Sequence, residues 1–144
     1  MRFISMLVLG FSLVLTACVD VYTTAPNEEI EKSTVVFAPF TPSVTSVSLG
    51  NWVESKMVFY ADNGVEIIPD DMEISISGAQ VLLASHFVVR YGNFLGEARE
   101  VWEYGVIVKG NYVGEATVTV AYRKDRTQVS RFKVYVSNQP TGKG

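Results

Sequence analysis

Three hydrophobic patterns follow one another along the chain. Residues Phe3 to Leu15 are apolar except for Ser5, Gly10 and Ser12, with Arg2 before them and Thr16-Ala17-Cys18 after them. A charged start, a short apolar middle and a small residue at the end make the layout of a secretory signal. A spanning helix needs about 20 apolar residues, and Asp20 arrives too early for one. The expectation is a signal peptide over residues 1–17, removed after Ala17. The next stretch, 18–33, is mixed and polar, with Thr23-Thr24-Ala25-Pro26-Asn27 followed by Glu28, Glu29, Glu31 and Lys32. It reads as a flexible tether, with a brief helix open to Glu28–Lys32.

From residue 34 the chain is dense in Val, Ile, Thr, Tyr and Phe with turn residues at short intervals, which predicts an all-β domain over 34–137. Strands are expected at Thr34–Ala38, Val44–Leu49, Glu54–Ala61, Val65–Ile68, Met72–Ser77, Gln80–Ala84, Phe87–Tyr91, Glu100–Lys109, Glu115–Arg123 and Gln128–Ser137. Asp62-Asn63-Gly64 predicts a hairpin, because Asn-Gly tolerates positive φ. Lys124-Asp125-Arg126 predicts a second. In the last two strands Ala116, Val118, Val120 and Tyr122 share one face and threonines the other, while Phe132, Val134 and Val136 oppose Arg131, Lys133 and Tyr135. Such alternation gives one packed and one wet face, as in an antiparallel sandwich. Val106 to Val108 and Val88 to Val89 are expected to supply facing strands. Apart from Glu28–Lys32, a helical period is open only at Gly96–Trp102. The fold class is a single antiparallel, immunoglobulin-like β-sandwich, with another sandwich or a small barrel as the competing architecture. Residues 138–144 are expected to be a disordered tail.

Leu15-Thr16-Ala17-Cys18 resembles the lipobox of bacterial lipoprotein precursors. The resemblance implies cleavage just before Cys18, a diacylglyceryl group on its thiol and acylation of the freed amine. It agrees with the cysteine count, since Cys18 is the only one in the sequence and an odd thiol in an exported protein calls for an explanation. Two or three acyl chains hold a protein durably, each buried methylene contributing about 0.8 kcal/mol. In the Gram-negative family an Asp directly after the cysteine favours the inner membrane; here Val19 stands there, which implies the outer membrane, its periplasmic or surface face left open. With a single-membrane source the same reading gives the outer face of the plasma membrane.

A second resemblance involves Val108-Lys109-Gly110-Asn111-Tyr112-Val113-Gly114-Glu115-Ala116-Thr117-Val118-Thr119-Val120 together with Phe132-Lys133-Val134-Tyr135-Val136. These segments resemble the end of bacterial Ig-like domains of the invasin and intimin type, and Ser43–Leu49 resembles their opening strand. Residues 50–105 depart from that pattern.

Removing residues 1–17 leaves 127 of the 144 residues, enough for one domain with a hydrophobic core. Eleven bases then face fifteen acids, which offers no basic face for nucleic acid. No cysteine is left for a disulfide, so stability rests on burial and sheet hydrogen bonds.

Candidate chemistry is sparse. His86 is the only histidine, set beside an apolar run. No serine stands in a nucleophile elbow, so a Ser-His-Asp site is disfavoured against an edge-strand or loop histidine. One histidine and an acylated cysteine are too few for zinc. Asp70, Asp71 and Glu73, with Asp62, offer oxygens for calcium but lack the spacing and glycine of a calcium loop, so a solvated turn after Pro69 is preferred. Arg123, Lys124, Arg126, Arg131 and Lys133 gather near one hairpin, either as a patch for an anionic partner or lipid surface or as charges that discourage edge pairing. Tyr91, Phe94, Trp102, Tyr104 and Tyr112 form an aromatic group, some for the core and others for an exposed surface that binds protein or sugar.

These observations imply a non-enzymatic envelope lipoprotein with no cofactor beyond its lipid, held to the membrane and binding another envelope protein as an accessory of a surface or secretion assembly. The alternatives are a glycan- or peptidoglycan-binding module and an inhibitor or phage-exclusion lipoprotein.

Overall fold

The computed structural model describes residues 34–93 and 96–139. Residues 1–33, and with them Ala17, Cys18, the tether and the Glu28–Lys32 segment, lie outside the described residues. So do Phe94 and residues 140–144.

Eight strands and one short 3-10 turn follow one another: β1 Val35–Thr41, β2 Val44–Ser48, β3 Trp52–Asp62, the turn Pro69–Asp71, β4 Met72–Ile76, β5 Val81–Gly92, β6 Arg99–Gly110, β7 Gly114–Tyr122 and β8 Asp125–Ser137. They form two four-stranded sheets, β1-β3-β6-β5 (sheet I) and β2-β8-β7-β4 (sheet II). The domain is an all-β sandwich, and with β1 and β2 counted as the two halves of a split first strand its order is that of the immunoglobulin fold, whose first, second, fifth and fourth strands share one sheet. The pairing departs from a purely antiparallel sandwich at one place, where β2 runs parallel to β8. The chain leaves sheet I after Thr41 and enters sheet II at Val44, which brings the opening strand beside the closing one.

The alternation of β7 and β8 is realised in the core. Ala116, Val118, Val120, Tyr122, Phe132, Val134 and Val136 are buried against Met57, Phe59, Tyr104, Val106 and Val108 of sheet I. Phe40 and Phe132 meet at 4.8 Å between ring centroids, at an angle of 52°. Val88 packs against this core from its edge, while Val89 is turned outward.

Several local expectations are corrected. Residues 65–68 form no strand. Asn63-Gly64 does make a turn, with Gly64 at φ +85° and the Val65 N–H donating to the Asp62 carbonyl at 3.1 Å. The chain then crosses from sheet I to sheet II instead of pairing back, burying Ile67 on the way. The strands expected at Gln80–Ala84 and Phe87–Tyr91 are one strand, β5, whose register shifts between Leu83 and Ser85. A bulge breaks the side-chain alternation without ending the strand. Gly96–Trp102 holds no helix, because β6 begins at Arg99 and pairs with β3 along its length. At the tail, the Ser48 hydroxyl donates to the Gln139 carbonyl at 2.7 Å, so residues 138 and 139 are held against β2. The turn between β7 and β8 lies at Arg123-Lys124, with Tyr122 paired to Asp125.

Candidate interaction surface

The aromatic group read from the sequence separates in three dimensions. Tyr104 is wholly buried and Trp102 is 5 % exposed, so neither contributes to a surface. Both project inward from β6. Trp102 stacks on Phe59 at 6.0 Å and 17°, and the Arg90 guanidinium covers it at 5.6 Å. Arg90 is held there by the buried Glu100 carboxylate at 2.5 Å; that hydrogen bond raises the guanidinium pKa. Tyr91 and Tyr112 are exposed, but they stand at opposite ends of the β5–β6 pair, Tyr91 near Trp102 and Tyr112 beside Gln80. About ten residues of strand, or roughly 30 Å, separate them. They cannot form one patch.

Three of the five basic side chains pair with carboxylates, two of them with acids considered as calcium ligands. Lys124 pairs with Asp71 at 3.3 Å and Arg126 with Glu73 at 2.8 Å. Arg123 Nε donates to the Asp70 carbonyl at 2.8 Å, and Lys133 pairs with Glu115 at 3.1 Å. The Lys133 hydrogen bond, with one from Tyr135, lowers the Glu115 pKa, while Asp71 raises that of Lys124. Residues distant in sequence meet because β4 pairs with β7, which brings the Pro69–Asp71 turn under the β7–β8 hairpin. Asp71 is also committed to accepting the Ile68 N–H at 3.0 Å. An anionic partner would have to compete with these contacts for Lys124, Arg126 and Lys133. Arg131 stands apart, in a groove of about 350 Å³ beside Pro39. His86 lies on the edge strand β5 and shares a hydrogen bond with the Tyr104 hydroxyl. Among the described residues no three His, Cys, Asp or Glu side chains gather as a metal site.

The surface that stands out is the outer face of sheet I. Along β3 the outward residues are Trp52, Glu54, Lys56, Val58, Tyr60 and Asp62, alternating with a buried set. Register places Trp52 beside Lys109 and then Leu82, Glu54 beside Ile107, Val58 beside Glu103 and then Val89, and Tyr60 beside Val101. Phe87 lies over Gly105, where an added Cβ would meet its ring at 2.2 Å. Trp52 is 62 % exposed, and Val58, Tyr60, Leu82 and Val89 are exposed with it. At the end where β6 finishes, Leu49, Tyr112 and Val113 extend the apolar surface into the neighbouring loops. The outer face of sheet II is more polar: β7 presents Glu115, Thr117 and Thr119, and β8 presents Arg131 and Lys133 beside the exposed Val129 and Tyr135, with Val44 on β2.

One polar island crosses the apolar face. Lys56 Nζ lies 3.1 Å from Glu103 and 3.2 Å from Glu54, contacts that raise its pKa, the one to Glu103 most. Its ammonium also sits 5.9 Å from the Phe87 ring centroid. Beside it a groove of about 490 Å³ opens between Lys56, Val58, Glu103 and the Ala38-Pro39 bulge of β1. Contiguous apolar surface around a small satisfied polar centre is what a docking face offers, whereas isolated exposed apolar residues are ordinary.

Trp52, Val58, Tyr60 and Leu82 were not singled out in the sequence, although a signal for them exists. In β3 both alternating sets carry apolar residues, Met57 and Phe59 on one side and Val58 and Tyr60 on the other. A strand that is apolar on both faces reads as covered on both.

No protein-family model matches the chain, and no curated protein matches it. Among solved structures it is similar to domains 4 and 5 of the S-layer protein SbsC, at 19% sequence identity and a TM-score of 0.43. The match covers 73% of this chain and 54% of that one, so the chain spans about half the length of that structure.

Proposed function

We propose that the protein is a non-enzymatic envelope lipoprotein, cleaved after Ala17, lipidated on Cys18 and held at the outer membrane, whose Ig-like domain docks another envelope protein through the outer face of sheet I. The observation that carries the docking is the apolar face itself. Trp52, Val58, Tyr60, Leu82 and Val89 lie exposed on one sheet, while the opposite sheet mixes threonines and charges with Val44, Val129 and Tyr135. Exposing such a face to water is unfavourable unless a partner covers it, at about 25 cal/mol per Å² of apolar surface. The partner's chemistry follows from the face: a flat apolar surface with a cation opposite Glu54 and Glu103, the two acids that share the single Lys56. The targeting half of the proposal is supported by the signal layout and by Leu15-Thr16-Ala17-Cys18. The resemblance to invasin and intimin Ig-like domains fits the strand order but is not required by it. With Tyr91 and Tyr112 at opposite ends of β5–β6, the glycan alternative loses the clustered aromatics on which it rested.

The test is a pull-down from crosslinked envelopes of cells that carry the tagged full chain. A defined envelope protein is expected to co-purify, and Trp52→Ala together with Tyr60→Ala is expected to remove it, since exposed Trp and Tyr anchors contribute about 2 kcal/mol or more each at such interfaces. Capture that is unchanged by both substitutions, or no capture at all, rejects the reading.

A further inference from the structure

The four sheet edges of the sandwich are protected unequally. The edge at β1 is interrupted by a bulge, its register slipping between Phe37 and Phe40, and Pro39 within it has no N–H to offer. The edges at β2 and β4 belong to strands of five residues each, and Pro42 stands just before β2. The edge at β5 carries register shifts near both of its ends, between Leu83 and Ser85 and between Arg90 and Gly92, with a regular stretch between them. It runs 12 residues without a proline and with Val81 as its one fully buried residue. It pairs with β6 on one side and with no described strand on the other.

An uncovered edge presents a row of backbone N–H and C=O groups, and the group that satisfies such a row is another extended strand. The side chains of β5 narrow the choice of strand. Leu82, Phe87 and Val89 lie on its outer face, and Leu83, His86 and Val88 on the other. Arg90 is its one Lys, Arg, Asp or Glu residue, and it is already bound to Glu100. A second β5 would therefore meet apolar residues on both faces and no opposed like charges, which are what disfavour cross-strand pairs.

We propose that the chain self-associates through β5. Two copies pair antiparallel about a two-fold axis, and two sheets of four strands become one continuous sheet. The regular stretch between the two register shifts, Ser85 to Arg90, places the axis at Phe87, so that residues opposite each other lie on the same face of the joined sheet. There Phe87 faces its own equivalent, Val89 faces Ser85 of the second copy, and the two Arg90 side chains lie well apart. A two-fold normal to the sheet leaves both outer faces on the same side, so the dimer sets two docking faces edge to edge. The pairing itself does not depend on the docking proposal.

Single cysteines placed at Ser85, Phe87 and Val89 of the full chain, expressed in a bacterial envelope and oxidised, test the pairing. A disulfide-linked dimer is expected at one or more of these positions. None is expected for Ser75→Cys, on the other sheet's edge at β4, or for the unsubstituted chain, whose one cysteine is Cys18. Ser85→Lys together with Val89→Lys, which sets lysines opposite each other on both sides of the axis, is expected to weaken dimerisation about tenfold by light scattering in detergent without changing the circular dichroism. Three outcomes overturn the proposal: a monomer throughout with no crosslink at the β5 positions, equal crosslinking at Ser75, or crosslinks only to a protein of another size. Trp52→Ala with Tyr60→Ala is expected to leave the dimer intact, so failure of the docking face and failure of the β5 pairing are read separately.

Discussion

The Tyr104 hydroxyl and His86 Nδ1 lie 2.9 Å apart, with the two rings edge-on at 5.9 Å and 66°. The bond ties β5, the edge strand of sheet I, to a residue with no exposed surface. Tyr104→Phe keeps the ring and its packing but leaves the imidazole nitrogen without this partner. A net loss of about 1 kcal/mol is expected in urea unfolding, the usual contribution of one such bond. A loss of zero would mean that water replaces the phenol without cost.

Burial pushes the Tyr104 phenol far above its ordinary value and raises that of Tyr122 as well. Above about pH 10 the unfolded chain releases these protons while the folded chain keeps them. The unfolded state then binds fewer protons, so stability present below that pH is lost as pH rises, by up to about 1.4 kcal/mol per pH unit for each tyrosine. Unfolding followed from pH 8 to 12 should show this downward slope, and Tyr104→Phe should make it shallower. A slope that is the same in the variant would show that Tyr104 ionises without unfolding the domain.

The class of fold was legible because β7 and β8 alternate cleanly over their whole length, and a period of two leaves little choice of face. β5 was not legible as one strand, because its bulge at Ala84 shifts the side-chain pattern while the backbone continues. Residues 65–68 carry the composition of a strand but serve as the crossover between sheets, a role set by the position of β4 beside β7 and not by local sequence. The aromatic group separates in space for a related reason. Trp102 and Tyr104 were grouped with Tyr91 and Tyr112 by proximity along the chain, but in a strand neighbouring aromatics point to opposite faces or lie many ångströms apart. The ion pairs of the β7–β8 hairpin join residues some fifty positions apart, such as Asp71 and Lys124, and no local pattern announces them.

Gly105 and Phe87 form a coupled pair on the outer face of sheet I. A Cβ at position 105 would stand 2.2 Å from the Phe87 ring, so Gly105→Ala must drive the ring off the sheet and away from Lys56. A destabilisation of about 1–3 kcal/mol is expected, the range for overpacking. With Phe87→Ala already in place the same substitution should cost less, giving a coupling of at least about 0.5 kcal/mol in a double-mutant cycle. Additive effects would mean that the ring has another resting place of equal energy.

Cys18 carries the targeting half of the proposed function. If Leu15-Thr16-Ala17-Cys18 is a lipobox, the thiol must be modified before the signal is cut, and Cys18→Ser blocks both steps. The variant is expected to accumulate as an uncut precursor without acyl label, while the unsubstituted chain incorporates labelled fatty acid and migrates as the shorter form. The domain itself should be unaffected, since Cys18 precedes its first strand by sixteen residues of chain. A Cys18→Ser chain of mature size, exported without lipid, would show that residues 1–17 are an ordinary secretory signal and that the protein is released from the membrane.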